Sequence, residues 1–384
     1  MDFELSPEQR EIQTLTRELA EAEIVPHAAV WDREHRFPRE LIEKLAEVGL
    51  MGVCIPEELG GAGADFLSYI LVLEELSRAD AGIGVTVAVH TSAAALPIVK
   101  FGTAEQRDEL VPPLARGEHL GAFALTESGS GSDAASLQAR AEPDGEGWRL
   151  TGRKQWITNS AHAGTILVFA RSEPGISCFL VDRDWEGVTV TAEHRKLGLH
   201  SSSTTDLVLD GVFVPADRLL GEEGKGFRIA MATLDGGRIG IAAQAVGIAQ
   251  AAFEAARAYA LERRQFGRPI ADFGAIQAKL ADMATEIDAA RLLVYRAAWL
   301  RDRGEPHGEA GAKAKLFASA VARRATGEAI QVLGGYGYTK EFPAERFYRD
   351  AKITEIYEGT SEVQRLVIAR AVLETADRGV PAPA

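Results

Sequence analysis

Glu358 stands in the run Ile356 to Arg365 (IYEGTSEVQR), where Ser361 and Gln364 have the spacing of a capping box and an amphipathic helix follows. The carboxylate would then sit in the loop entering that helix. Gly359 beside it suggests close backbone approach by a neighbouring group. Taken locally, a glutamate just ahead of a helix is most simply a solvated residue favoured by the helix dipole. A second candidate, Gly129 to Ala134 (GSGSDA), matches the loose G-x-G-x-x-A form of a dinucleotide fingerprint, which needs a strand before it and a helix after it. It opens a strand-rich region instead, which argues against a Rossmann site. Such a loop can still bring several backbone N–H groups close to phosphates or a flavin. No Walker loop, nucleophile elbow, zinc spacing or HExxH run occurs, so hydrolytic and metal chemistries lack support and no metal site is expected. The eight histidines are scattered, and each is read as structural.

The elements that must carry these residues follow from periodicity. Up to about residue 120 helical spacing dominates, with Leu41, Leu45 and Val48 on one face and Ile70, Leu73, Glu74 and Leu76 in another run. A turn at Gly60-Gly61-Ala62-Gly63 separates such runs. Between about 121 and 225 the period becomes two: Trp148 and Leu150, Thr165 to Ala170, Ile176 to Val181, Val188 and Val190, Leu207 and Leu209, Val212 and Val214. With no long helical pattern between these strands, a small antiparallel barrel or sandwich is favoured over a parallel βαβ sheet. From about 226 the helical period returns. Ile276, Leu280, Met283, Ile287, Ala290, Val294 and Ala297 form a heptad seam, and further stretches at Gly226 to Arg264, Glu309 to Leu333 and Ser361 to Thr375 predict a four-helix bundle. The expected fold is α+β, mostly α. An N-terminal α domain spans 1–120, a middle β domain 121–225 and a C-terminal bundle 226–384.

Composition narrows the class. A chain of 384 residues, 46% apolar and 26% charged, is large enough for more than one core and close to the soluble average. A net charge of −14 repels phosphate polyanions and anionic lipid, so neither nucleic acid nor a membrane surface is an expected partner. The N-terminus lacks the pattern of a signal or transit peptide, and Cys54 and Cys178 are too few for a disulfide framework; both suit a reduced, cytoplasmic setting, or a mitochondrial matrix one for a processed chain. Ala81 to Val99 carries no charge over nearly a bilayer length, but its alanines, glycines, hydroxyl residues, His90 and Pro97 predict a helix enclosed by protein.

Several segments together resemble the acyl-CoA dehydrogenase family across essentially the whole chain. They are Phe123 to Asp133 (FALTESGSGSD), Gln155 to Asn159 (QWITN), Leu234 to Gly240 (LDGGRIG), Glu262 to Gly267 (ERRQFG), Gln331 to Gly335 (QVLGG) and Tyr357 to Arg365 (YEGTSEVQR), in family order. The resemblance implies FAD as cofactor. Phe123, Leu125, Thr126, Gly131, Ser132, Trp156, Ile157 and Thr158 would line the isoalloxazine and its surroundings, with Thr360, Ser361 and Glu362 also near the cofactor. Arg263, Gln265 and Phe266, with Gln331, Val332, Leu333, Gly334 and Gly335, resemble segments that reach the FAD of a neighbouring subunit in a homotetramer. Asp235, Arg238, Ser132 and Gly359 would contact an acyl-CoA substrate.

By the same resemblance Glu358 is the base that takes the α-proton, while flavin N5 receives the β-hydride. The thioester oxygen would be held by the backbone N–H of Glu358 and a ribityl hydroxyl. Some members carry their base just before the bundle arginine, but Gly237 stands there and cannot abstract a proton. Two departures are visible: Gly274 replaces a frequent glutamine that contacts FAD, and the loop Arg171 to Gly175 is short. The run Gly237 to Gln244 (GRIGIAAQ) is most similar to short-chain and short branched-chain members, and family membership implies electron-transfer flavoprotein as acceptor. An oxidase passing electrons to oxygen, and a non-catalytic acyl-CoA or flavin-binding homologue, are the alternative readings.

Overall fold

The computed structural model describes residues 4–377. Seven helices lead: α1 (Pro7–Glu23), α2 (Val25–Glu34), α3 (Arg39–Glu47), α4 (Phe66–Ala79), α5 (Ala81–Ala88), α6 (Leu96–Phe101) and α7 (Ala104–Ala115). Ser6 and Thr103 close capping boxes with Gln9 and Gln106, satisfying the first free N–H groups of α1 and α7. Leu41 and Leu45 are buried as their spacing predicts, while Val48 is 41% exposed because α3 ends at Glu47. Gly60 and Gly63 take φ of +84° and +65°, which makes the predicted turn. α4 is buried nearly all round, including Glu74 and Glu75, whose carboxylates meet Arg291 at 2.8 Å and Arg17 at 2.6 Å.

Ala81 to Phe101 is continuous helix with a π-helical segment, Val89–Ala95, between α5 and α6. It is one of two described helices apolar and long enough to cross a membrane, the other being Gly226–Glu262; 89% and 78% of their most apolar windows are buried within the protein.

Strands β1 (Leu120–Ala124), β2 (Arg140–Asp144), β3 (Gly147–Thr158), β4 (Ala163–Ser172), β5 (Gly175–Val181), β6 (Val188–Val190), β7 (Thr204–Pro215) and β8 (Leu219–Leu220) make one eight-stranded sheet. Its order is β6-β7-β3-β2-β4-β5-β8, with β1 alongside β4. The sheet is mostly antiparallel, as expected, but the path stays open at its ends, and β1 runs parallel to β4. Alternation sorts the side chains. Leu167, Phe169, Cys178 and Leu180 pack with Ile98, Val111 and Leu114 of the helices, while Ile166, Val168, Phe179 and Val181 join Leu150, Leu207 and Val212 on the opposite side.

The remaining helices are α8 (Gly226–Glu262), α9 (Gly274–Asp302), α10 (Gly308–Leu333), α11 (Ala344–Ile353) and α12 (Ser361–Asp377), with a short ribbon of β9 (Arg264–Gln265) and β10 (Arg268–Pro269) after α8. α10 packs on α8, α9, α11 and α12, so the expected bundle forms with α11 added to it. Met283, Ile287, Ala290, Val294 and Ala297 of the seam are buried, and Ile276 and Leu280 pack half-buried at its start.

Candidate active site

The loop between α11 and α12 holds Glu358 in a left-handed conformation, φ +54°, followed by Gly359 at +87°. A glutamate rarely takes that conformation unless its surroundings impose it. Three groups do so. The Lys315 ammonium, fully buried on α10, donates to the carbonyls of Thr354 (3.0 Å) and Gly359 (2.8 Å). The Gln364 amide donates to Gly359 O at 2.7 Å and to Glu358 O at 3.3 Å. Ser361 N–H reaches back to Glu355 O at 3.0 Å. The expected Ser361–Gln364 capping box is therefore not formed. Thr360 caps α12 instead, its hydroxyl accepting from Val363 N–H at 3.3 Å, because Gln364 is turned back to clasp the loop.

The loop throws the Glu358 side chain against α8. A Cβ added at Gly237 would lie 2.5 Å from Glu358 Oε2, so only glycine leaves room for this carboxylate. Oε2 is buried and has no hydrogen-bond partner. Burial pushes the Glu358 carboxyl up to about 7, against the opposing pull of the Lys315 and Arg238 cations. Among the described residues its backbone N–H likewise finds no acceptor. Tyr357 also reaches α8, donating its hydroxyl to Gln244 two helical turns beyond Gly237, while Gln244 donates to Ala81 O at 2.8 Å. On α8, Arg238 and Asp235 pair at 2.6 Å, and Arg238 Nε is buried without a partner.

The β domain presents the expected cofactor segments on a braced frame. Glu127 accepts from Gln138 N–H (2.6 Å), Ala139 N–H (2.9 Å) and the buried Lys154 ammonium (2.7 Å), and Lys154 also reaches Leu125 O. Burial alone would raise the Glu127 carboxyl, but Lys154 and the two N–H donors carry it below its ordinary value. This ties the two ends of the loop bearing Gly131 and Ser132 to β3. That strand bends at Trp156, φ +62°, and Asn159, φ +68°, and the Asn159 amide is held by Thr86 O and Gly121 O. The bend leaves Trp156 54% exposed, with Thr126 and Thr158 half-buried and Ser132 exposed. Leu125 and Ile157 face the cores, so they offer a ligand their backbone only. Phe123 is half-buried against Phe169. No Cβ contact surrounds Gly129 or Gly131, which leaves their backbone open to a large planar or phosphorylated group. The loop is followed by one short 3-10 turn, Ala134–Ser136, and not by the helix a Rossmann site requires.

The second expected set gathers elsewhere. Arg263 lies over the Tyr336 ring at 5.7 Å, bringing the end of α8 to the turn after α10, and Phe266 beyond it is 93% exposed with φ +50°. Gln331, Gly334 and Gly335 are exposed there; Val332 and Leu333 are buried in the helical core. Arg263 is 26 residues beyond Gly237, which at the rise of an α-helix is about 39 Å away along α8. Of the remaining expected residues, Gly359 and Ser361 are half-buried at the loop, Glu362 is exposed, and Gly274 opens α9 with nothing near its Cβ position.

Sequence reasoning missed Lys315, Gln364 as a loop clasp, and the Glu127–Lys154 pair. A signal existed for Lys315: it lies on the stripe of Gly311, Ala312, Ala318 and Ala322, where a charged side chain must be buried and partnered.

A mostly helical chain with a β domain between two helical domains, an exposed Trp156 and open Gly129–Gly131 backbone on the β domain, and a buried carboxylate oxygen facing a helix fits a flavin-dependent oxidoreductase. Three family models match it in order: the acyl-CoA dehydrogenase N-terminal domain over residues 6–118, middle domain over 122–212 and C-terminal domain over 224–373. The chain is 49% identical to the mitochondrial short-chain specific acyl-CoA dehydrogenase of Bos taurus, over 97% of this chain and 92% of that one. Butyryl-CoA dehydrogenase from Megasphaera elsdenii superimposes with a TM-score of 0.96 at 45% identity, covering 97% and 100% of the two chains. A chain in the structure described as the electron transferring flavoprotein of Acidaminococcus fermentans gives 0.96 at 49% identity, covering 97% and 100%. The protein belongs to the acyl-CoA dehydrogenase family, and FAD is its cofactor.

Proposed function

We propose that the protein oxidises short-chain acyl-CoA thioesters to trans-2-enoyl-CoA, with Glu358 as the base that removes the α-proton. The observation that carries this is the buried, unpartnered Oε2 of Glu358, held by a left-handed loop in the space Gly237 leaves. A carboxylate in water, with a pKa of about 4.3, is far too weak a base for a thioester α-carbon. Raised by burial to about 7, Glu358 is better matched while still ionised in a useful fraction at neutral pH. The free N–H of Glu358 is a donor for the thioester oxygen, where negative charge develops as the α-proton leaves. Asp235 and Arg238, with Ser132 and Gly359, are assigned to the substrate; the unpartnered Arg238 Nε is a ready donor. FAD, when bound by Thr126, Trp156, Thr158 and the Gly131–Ser132 loop, supplies the acceptor for the β-hydride.

The short-chain preference is supported by the Bos taurus and Megasphaera elsdenii relatives. The distance of about 39 Å along α8 from Gly237 to Arg263 supports an oligomer, read here as a homotetramer, in which Arg263, Gln265, Phe266 and the 331–335 segment serve a neighbour's FAD. The Acidaminococcus structure supports electron-transfer flavoprotein as acceptor. The unpaired, buried thiols, with Cys54 pushed up to about 12 by burial, suit a reducing compartment such as the cytoplasm.

Anaerobic titration of the FAD-loaded protein with straight and branched acyl-CoAs tests the reading. Bleaching is expected, strongest with short chains, and absent in Glu358→Gln. Equal bleaching in that variant would remove Glu358 as the base, and rapid peroxide formation in air without a carrier would make the protein an oxidase.

A further inference from the structure

The base loop is held from below by a cation that plays no part in the chemistry described above. Lys315 is 1% exposed, and among the described residues its ammonium bonds to carbonyls and pairs with no carboxylate. A buried ammonium without a counter-ion costs several kcal/mol unless something nearby compensates it. What it has instead is two carbonyls, Thr354 O at the C-terminus of α11 and Gly359 O immediately after the base. Those two bonds span the strained segment, since Glu358 and Gly359 both take positive φ between them. The contact with Gly359 O brings the cation to the residue next to Glu358, yet Glu358 Oε2 remains unpartnered. The other charge acting on Glu358 is Arg238 from α8, already paired with Asp235, while the hydroxyls of Tyr357 on the same loop and Tyr69 on α4 stay neutral, raised in part by Glu358 itself.

We propose that Lys315 is the positioning residue of the base: its ammonium clasps the loop at Thr354 and Gly359 and keeps a positive charge beside the Glu358 carboxylate without pairing with it. Direct pairing would occupy the lone pair that must take the proton. A cation tied to backbone instead stabilises the ionised base and leaves it free. Burial also pulls Lys315 down to about 8, while Glu358 pulls it up.

This inference rests on Glu358 acting as the base, and its test separates the two. Anaerobic stopped-flow reduction of the FAD-loaded protein by butyryl-CoA is followed over a pH series extending about two units either side of 7, in wild type, Lys315→Gln, Lys315→Arg and Lys315→Met. Lys315→Gln keeps donors for the carbonyls and drops the charge, so its acidic limb moves to higher pH, with at least a tenfold lower rate at neutrality and recovery at the alkaline end. Lys315→Arg keeps the charge, so its limb stays within a few tenths of a unit of wild type. Lys315→Met loses both roles and falls furthest at every pH, with FAD retained. Loss in Lys315→Gln by one constant factor at all pH values would overturn the proposal, as would a limb in Lys315→Arg displaced as far as in Lys315→Gln. Should Lys315→Met fail to fold, the Gln and Arg pair still decides. Wild-type protein that butyryl-CoA does not reduce would refute the function above, an outcome separate from any difference among the variants.

Discussion

Glu358 carries opposing demands, and its environment shows how they are met. Burial favours the neutral acid; Lys315 and Arg238 favour the anion, and the balance lies at about 7. In unfolded chain the same carboxyl titrates at about 4.3. The folded value is the higher one, so folding favours the protonated form, and the stability this contributes is fully present below about pH 4 and lost as pH rises through 7. Glu358→Gln stays neutral throughout. It is therefore expected to melt higher than wild type near pH 8 and to converge with it near pH 4, as thermal unfolding of the two FAD-loaded proteins will show. Catalysis runs the other way: kcat/KM should rise with pH and level off above about 7, because the base must be ionised. A mutant more stable and inactive at the same pH would mark the base as a site where stability is given up for function.

At the scale of elements, β3 and the loop before β2 keep their shape through one buried ion pair. Lys154 is fully buried and Glu127 is 8% exposed, and the glutamate also satisfies two backbone N–H groups. Lys154→Met leaves an unpaired buried carboxylate, which costs about 3 to 5 kcal/mol. Urea unfolding should show that loss, and the purified variant should carry less than stoichiometric FAD by its visible absorbance, because the loop with Gly131 and Ser132 and the strand with Trp156 are no longer tied together. A second substitution, Glu127→Leu, should restore part of the stability by removing the stranded charge. Unchanged stability in Lys154→Met alone would show that the pair is dispensable. The α8 glycines act on the same scale: Gly236 and Gly237 let Arg301 and Glu358 approach a helix that any side chain would push away.

For the whole molecule, the length of α8 decides what one chain can do alone. Its 37 residues span about 55 Å, with the base site near one end and Arg263 at the other. In the proposed homotetramer, the exposed ring of Phe266 and the exposed Gln331, Gly334 and Gly335 would be surfaces for a second protomer and its cofactor. Phe266→Ser is expected to lower FAD occupancy and shift the protein toward smaller assemblies in sedimentation, with the circular dichroism of the helices preserved. A variant that keeps full FAD and wild-type mass would refute the shared-cofactor arrangement.

The sequence by itself determined the order of helical and strand regions, the bundle seam and the burial of Ala81–Phe101, because hydrophobic period follows directly from which face of an element meets the core. Motif order pointed to the flavin segments and Glu358 as the proposed site. It could not decide how Glu358 is held. Local spacing pointed to a capping box at Ser361 and Gln364, but Gln364 is drawn to Glu358 O and Gly359 O, a competition settled only when α10 brings Lys315 to the other side of the loop. Gly237 was legible as a position that cannot supply a base; that its missing side chain is the space Glu358 fills is a fact of two segments more than a hundred residues apart in sequence. The same holds for Glu127 with Lys154 and for the open path of the sheet. Periodicity records burial, residue by residue, while the partner that a buried charge or a strained backbone finds is set by long-range packing, which no local window contains.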